Sequence, residues 1–545
     1  MGICRDVKAQ PKQRPKLGGN RAALFVYATV GLENMAFIAN AVSLVTYFYG
    51  YMNFSLTKSA TTLTNLMGTT FLLSLFGGFI SDTYLSRFKT CILFGSIEVV
   101  GYTLLTAQAH FSELRPFPCK DVPPTKMGQC EAASGSQVAI LFAGLYLVAF
   151  GNSGVKAALP SLGADQFDER DPQEVASLSS FFNWLLFSIT GGAIFGVTFL
   201  VWISTNQGWD WSFGVCTLAV LMAFLFLGMG KSVYRNNVPK GSPIVRILQV
   251  CIAILEFLDQ AAIISTTQDA STSSINPGPW NMCTVTQVEE TKIVVRMLPI
   301  ILSTVFMNTC LAQLQTFTIQ QSTTMDRSLL GFQVPGPSIP VIPLVFMFLL
   351  IPVYDRIFVP IVRKFTGIPT GIRYLQRIGV GLVLSAISMA VAGFVETHRK
   401  SVAVKHNMVD SAGPLPVTVF LLGFQFAIFG LADMFTLVGL LEFFYAESSS
   451  GMKSLGTAIS WCSLAFGYFL SSVMVEVVNR VSGGWLASNN LNRDKLNYFY
   501  WLLAGLSVVN FGAYLVCSSW YRYKKVEVKE VGISDLEGKI EMGRL

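Results

Sequence analysis

The sequence predicts an all-α membrane protein with twelve transmembrane helices in two six-helix halves. Three observations carry that expectation. Of 545 residues, 52% are hydrophobic and only 13% charged, against about 25% charged in an average soluble protein. The apolar residues gather into twelve runs, each close to the roughly 20 residues that cross a bilayer. A long polar stretch divides these runs six and six, and the segments that close the second and eighth runs echo each other.

In order, the runs cover residues 22–49, 61–81, 90–108, 138–161, 178–203 and 212–230, then 297–320, 338–354, 379–396, 416–445, 455–477 and 496–520. Basic residues follow alternate runs. Arg87 and Lys89 follow the second, and Lys231, Arg235, Lys240 and Arg246 the sixth. Arg356, Arg363, Lys364, Arg373 and Arg377 follow the eighth, and Arg522, Lys524 and Lys525 the twelfth. The positive-inside rule therefore places both termini in the cytoplasm. Arg399, Lys400 and Lys405 are the exceptions. The expected organisation is a cytoplasmic segment (1–21), a six-helix bundle (22–230), a cytoplasmic linker (231–296), a second six-helix bundle (297–520) and a cytoplasmic tail (521–545). Within the linker, "ILQVCIAILEFLDQAAII" is interrupted by Glu256 and Asp259. It reads as an amphipathic helix lying at the membrane surface, not as a thirteenth span.

Several classes are excluded. The net charge of +7 comes from residues flanking apolar runs, not from a basic, aromatic-interleaved tract that would bind nucleic acid. Three histidines and ten scattered cysteines give no metal-site spacing, and no cofactor is expected. No nucleophile–base pair or phosphate-binding glycine loop points to an enzyme. The basic, polar start does not read as a secretory signal, and Asp6 occupies the position where a myristoylation motif wants Ser or Thr. Cys119 and Cys130 share the predicted outer loop between the third and fourth spans; a disulfide and two free thiols both fit. The sequon at Asn53 lies too close to the membrane to be used.

The internal echo is specific. "GGFISDTYLSRFKT" (77–90) and "IPVYDRIFVPIVRKFTG" (351–367) each put an aspartate at the cytoplasmic end of a helix, with basic residues one to two turns on. Asp82 with Arg87, and Asp355 with Arg363, are thus candidates for clamps that hold neighbouring helices and break as the halves rock. Two related six-span halves are the plan of the major facilitator fold, which binds its substrate at the midplane between them.

Charges inside the spans stand out, because burying one in hydrocarbon is costly and marks function. Lys156 lies near the end of the fourth run. In the first, Glu33, Phe37, Asn40, Leu44 and Tyr47 are spaced to share one helix face. That stripe suits either a cavity lining or a polar seam between helices. In the tenth, Asp433 and Glu442 are nine residues apart, which at about 100° per residue puts them on opposite faces. Asp433 reads as structural.

Several motifs in order, "GADQFDE" (163–169), "FFNWLLFSITGG" (181–192), "CTVTQVEETK" (283–292), "QTFTIQQ" (315–321) and "LEFFYAE" (441–447), resemble the plant nitrate/peptide transporter family. This is the plant branch of the proton-coupled oligopeptide transporters, within the major facilitator superfamily. "LENMAF" (32–37) is most similar to its fourth subfamily. The resemblance implies that Lys156 stands where the family lysine stands and that Glu33 is what remains of a Glu-x-x-Glu-Arg signature, with Val30 and Asn34 replacing the other two residues. Proton coupling then falls to Glu33 and Lys156, the carboxylate serving as counter-ion until a proton or an anionic substrate frees the lysine. Substrate contacts are expected from Asn40, Tyr47, Lys156, Asn308, Leu311 and Glu442, of which Glu442 matches the cavity-facing family position. Leu311 occupies the position where nitrate carriers can place a histidine, which suits a bulkier, partly hydrophobic ligand. Ser449 replaces a family proline, and the central insert is short.

The expectation is an integral, multi-pass transporter of the plasma membrane. It would work by alternating access, with protons and a small anion or carboxylate as partners: a plant hormone such as abscisic acid or gibberellin, or nitrate. A substrate-binding sensor and a di/tripeptide transporter are the alternatives. Whether a kinase acts on the central loop is left open.

Overall fold

The computed structural model describes residues 17–54, 56–116, 133–168, 171–235, 285–329, 332–333, 341–368, 370–409, 413–448, 452–486, 491–521 and 523. Twelve of the described helices are long and apolar enough to cross a bilayer. In the first half they are α1 (Asn20–Gly50), α2 (Leu56–Thr83), α3 (Arg87–His110), α4 (Gly135–Ala164), α5 (Glu174–Asn206) and α6 (Trp209–Met229). In the second they are α7 (Val285–Thr323), α8 (Val341–Thr366), α9 (Tyr374–Lys405), α10 (Leu422–Glu447), α11 (Lys453–Ser482) and α12 (Leu496–Trp520). Each expected run overlaps one helix. Cys119, Cys130 and the expected surface helix at 247–264 lie outside the described residues.

Two runs fold differently from their apolar outline. The tenth was expected over 416–445, but α10 begins only at Leu422. Before it, Leu415–Thr418 is a short strand, β4, pairing in parallel with β1 (Met325–Asp326) after α7. Pro414 and Pro416 cannot donate helical hydrogen bonds, and Val417 and Thr418 are β-branched, so the segment stays extended. The hairpin β2 (Ser328–Leu329) and β3 (Phe332–Gln333) adjoins it. The eighth was expected to stop at 354, but α8 continues to Thr366 through a π turn at Tyr354–Phe358. Pro352, just before that turn, removes one helical donor.

Helices in lipid gain no hydrophobic energy by touching, so close packing of small residues carries association. A Cβ on Gly192 of α5 would collide with the Gly31 carbonyl oxygen of α1. One on Gly77 of α2 would sit 2.5 Å from the Gly154 Cα of α4. At both places backbone meets backbone. The larger core fills the first half with Phe37, Phe71, Phe94 and Phe181 and takes in Met434, Tyr445 and Trp461 from the second. A separate core, with Ile300, Cys310, Leu382 and Phe499, fills the second half.

Candidate functional site

Lys156 is 6% exposed and faces α1. Its Nζ lies 3.8 Å from Glu33 Oε1, 4.2 Å from the Phe37 ring centre and 5.2 Å from that of Trp461. One carboxylate and two aromatic faces therefore hold this ammonium. Glu33 is 1% exposed. Asn34 Nδ2 donates to its Oε2 at 2.8 Å, and Asn152 Nδ2, one turn before Lys156 on α4, donates to its Oε1. Glu98 of α3 adjoins the cluster, within the field of Glu33 and Lys156 and beside the Asn152 side chain. It is fully buried, and among the described residues neither of its oxygens, nor Asn152 Oδ1, has a hydrogen-bond partner.

Pro160 ties this cluster to the second half. A proline cannot donate to the carbonyl four residues back, so the Lys156 carbonyl has no helical donor. Trp461 Nε1 of α11 fills it at 3.1 Å. The neighbouring Ala157 carbonyl accepts from Thr457 Oγ1 at 2.6 Å. Trp461 stacks on Phe71, and Phe71 on Tyr468, in nearly parallel planes at 5.8 and 6.4 Å between ring centres. Tyr468 in turn donates to Gln315 Oε1 at 2.8 Å.

A second network joins the halves at the end bearing Arg87. Arg87 is 6% exposed. Its Nη2 lies 3.4 Å from Asp82 Oδ1, its Nη1 pairs with Asp165, and its Nε donates to Ser454 Oγ across the halves at 2.9 Å. The Leu455 N–H donates to Asp82 Oδ2 at 2.8 Å, and Tyr445 OH to Asp165 Oδ1 at 2.8 Å. In the second copy, Asp355 accepts from Ser180 (2.7 Å), Asn183 (2.8 Å) and Trp184 (3.1 Å) of α5. These bonds hold this end shut. The expected Asp355–Arg363 clamp is therefore corrected: among the described residues Arg363 Nε has no hydrogen-bond partner, and Asp355 crosses to the other half. Asp355 lies within the π turn, and its bonds run to α5. Both side chains border a cavity of about 530 Å³.

The remaining expected contacts divide. Asn40 and Tyr47 point into the first half, where Asn40, with Phe37 and Leu44, lines a small cavity and Tyr47 does not. Asn40 donates to Tyr102 OH at 3.2 Å. Tyr47 is fully buried, bonded to Gln108 and packed on Trp209 and Phe213. This part of the stripe is the polar seam. Asn308 is 8% exposed and donates to Ser463 Oγ at 3.0 Å, inside the second half. Leu311 is half-buried against the second core. Glu442 is 3% exposed and paired to Arg377 at 3.4 Å; Arg377 also donates to Asn183 of the first half at 2.7 Å. Glu442 thereby joins the network at the shut end. Asp433, nine residues earlier on the unbroken α10, lies within the field of Tyr468 instead.

The POT family model matches residues 88–491. Protein NRT1/PTR FAMILY 4.5 of Arabidopsis thaliana is 44% identical over 95% of this chain and 96% of its own length. The chain belongs to the POT family. Protein NRT1/PTR FAMILY 4.6 of the same plant is 42% identical over 93% of this chain and 94% of its own length. Among solved structures, an auto-inhibited POT family peptide transporter matches with a TM-score of 0.63 at 16% identity, over 93% of this chain and 98% of that one. A POT family transporter in complex with 5-aminolevulinic acid matches at 0.59 and 11%, over 92% and 97%. These last two likenesses establish the major facilitator fold, and the chain is an integral, multi-pass membrane transporter.

In this POT family chain the sequence reading missed Glu98, Asn152, Asp165, Arg377 and Trp461. Glu98 had a usable signal, a lone carboxylate inside the expected 90–108 span. Asn152 sits one turn from Lys156 on the same face. Arg377 stands in the expected run of basic residues after the eighth span, where only its fold reveals that it is buried. Trp461 is an apolar residue in an apolar run; only Pro160, on another helix, calls for its N–H.

Proposed function

We propose that this chain is a proton-coupled symporter of a small anion, moved by alternating access with Lys156 as the anion's partner. The observation that carries this reading is the buried Glu33–Lys156 pair, whose acidic member can be neutralised by a proton. A neutral Glu33 leaves the ammonium with aromatic faces only, ready for a carboxylate or nitrate. Asn34 stands where relatives carry the signature arginine, and its amide donates to Glu33 at 2.8 Å, so the site keeps one net cation. That favours a monoanion over a peptide. Trp461, Phe71 and Tyr468 offer a flat apolar wall beside the lysine, which suits a hydrophobic acid such as abscisic acid or a gibberellin ahead of nitrate. The shut end is the cytoplasmic one by its basic loops, with both termini on that side and the plasma membrane as the site of action.

The test is uptake in expressing oocytes offered nitrate, a dipeptide, abscisic acid and a gibberellin, against non-expressing cells. Saturable accumulation of an acidic hormone is the expected result. Binding without accumulation overturns the symporter in favour of a sensor. Uptake should rise as external pH falls, because a lower pH fills Glu33, and Glu33→Gln should flatten that response. A pH response equal to wild type in the variant removes Glu33 from coupling. Leu311→His should raise uptake of nitrate relative to hormone, since it adds a ring donor to a half-buried apolar position; an unchanged ratio takes Leu311 out of the pocket.

A further inference from the structure

The cluster around Lys156 holds two carboxyl groups and one ammonium. Were both carboxyls ionised, the interior of the first half would carry an uncompensated negative charge, the arrangement that buried sites avoid. Glu33 has the partners of an anion: Lys156 and the amides of Asn34 and Asn152. Glu98 lies within the field of Lys156 and beside the Asn152 side chain, yet among the described residues no donor meets the geometry of a hydrogen bond to either of its buried oxygens. The Asn152 side chain lies beside it, and Asn152 Oδ1 is an acceptor that also has no partner. Helices α3 and α4 are in backbone contact there, since a Cβ on Gly151 would sit 2.6 Å from Glu98 Cβ. A carboxylate facing a carbonyl oxygen is repelled; a carboxylic acid facing it makes a hydrogen bond. Buried polar groups are paired, and one proton on Glu98 pairs both it and Asn152 Oδ1.

The other titratable groups do not remove this need. Glu33 on α1 adds negative charge. Tyr102, one turn along α3, is bonded by Asn40 and lies near Cys216 of α6. Lys156 on α4 is engaged by Glu33. Helix α2 carries charges only at its ends, Lys58 and Asp82.

We propose that Glu98 is a second proton-binding group of the transport site, protonated while Glu33 is ionised and bonded through its hydroxyl to Asn152 Oδ1. The proposal rests on the proton-coupled reading above and extends it. Asn152 serves both carboxyls, its Nδ2 donating to the ionised one and its Oδ1 accepting from the protonated one. When an anion draws Lys156 away and Glu33 takes up a proton, the site holds two protons and one anion. Release of the Glu33 proton with the anion restores the Glu33–Lys156 pair, and Glu98 keeps its proton while Glu33 is ionised.

The experiment is infrared difference spectroscopy on the purified full-length protein in lipid, titrated with acid and base and with no substrate added. A carboxylic-acid C=O band that shifts in D2O should be present at neutral pH, be lost in Glu98→Gln and persist in Glu33→Gln. Glutamine has the shape of the protonated acid and can still donate to Asn152, so this variant should keep wild-type thermal stability. A band that survives in Glu98→Gln, or that disappears in Glu33→Gln, overturns the proposal. Should Glu98→Gln misfold, Asn152→Ala gives an independent reading: the band should move to higher frequency as the hydroxyl loses its acceptor, and an unmoved band overturns the proposal. Proton residence is read without transport, so a flat pH response of wild-type uptake with the band intact would sink the coupling reading and leave the assignment of the proton standing.

Discussion

Lys156→Ala is expected to abolish accumulation of the anionic substrate while the protein still reaches the membrane. The loss follows from what surrounds the ammonium. Trp461 meets this residue through its carbonyl, Phe37 presents a ring face, and the charged neighbours on α1 and α3 are acids. Without Lys156, an incoming anion finds no cation there and faces Glu33. Losing one partner of a desolvated charge pair costs about 2–5 kcal/mol, or roughly 30- to 5,000-fold in affinity. Folding is spared because Glu33 can take a proton and keep its Asn34 and Asn152 contacts, and because the carbonyl at 156 remains for Trp461. Radiolabelled uptake beside surface biotinylation checks this. Near-normal uptake at normal surface level would sink the assignment of Lys156 to the mechanism.

Arg87→Met is expected to spring the shut end open. Arg87 stands between two buried aspartates, Asp82 and Asp165, and bonds Ser454 of the other half. Methionine keeps much of the volume but removes the guanidinium that pairs with both carboxylates. Breaking a buried pair in this way costs about 3–5 kcal/mol, and the cost falls on this conformer, because opening the end lets water reach both acids. The open population should rise by at least about a hundredfold, at 1.4 kcal/mol per decade. Spin labels at the exposed Tyr84 and Gln376, in a cysteine-depleted background, should report a longer distance. An unchanged distance distribution would mean that the other bonds between the halves, from Asp355, Leu455, Tyr445 and Arg377, suffice to hold the end.

Most of the architecture was legible in residue types, because a bilayer imposes length and apolarity on every span. The charged exceptions were legible for the same reason: Glu33 and Lys156 announce themselves by cost, and the structure brings them together, while Asp82 was legible from the echo between the halves. What stayed hidden depends on rotation about helix axes. Asn40 and Tyr47 share a stripe with Glu33, yet they turn inward to Tyr102 and Gln108, and periodicity cannot say which neighbour a polar face meets. Asp355 was visible as a gate residue, but its partners lie on α5, beyond a π turn that period counting does not register. The strand at Leu415–Thr418 was masked by its apolarity, although Pro414 and Pro416 were a readable warning.

Pro160 makes Lys156, the proposed partner of the anion, also the residue that grips the opposite half. On the proposed mechanism ligand chemistry acts on its side chain, while the Trp461 bond acts on the same residue's main chain, with no intervening relay. Work done at one handle is felt at the other, and thermodynamic reciprocity requires the converse. A movement that parts α11 from α4 at this point would strip Trp461 from that carbonyl. Affinity for an anion at the ammonium must then differ between the two conformers by as much as the anion biases that exchange, so a binding isotherm measured on protein locked in each conformer would give the strength of the coupling directly.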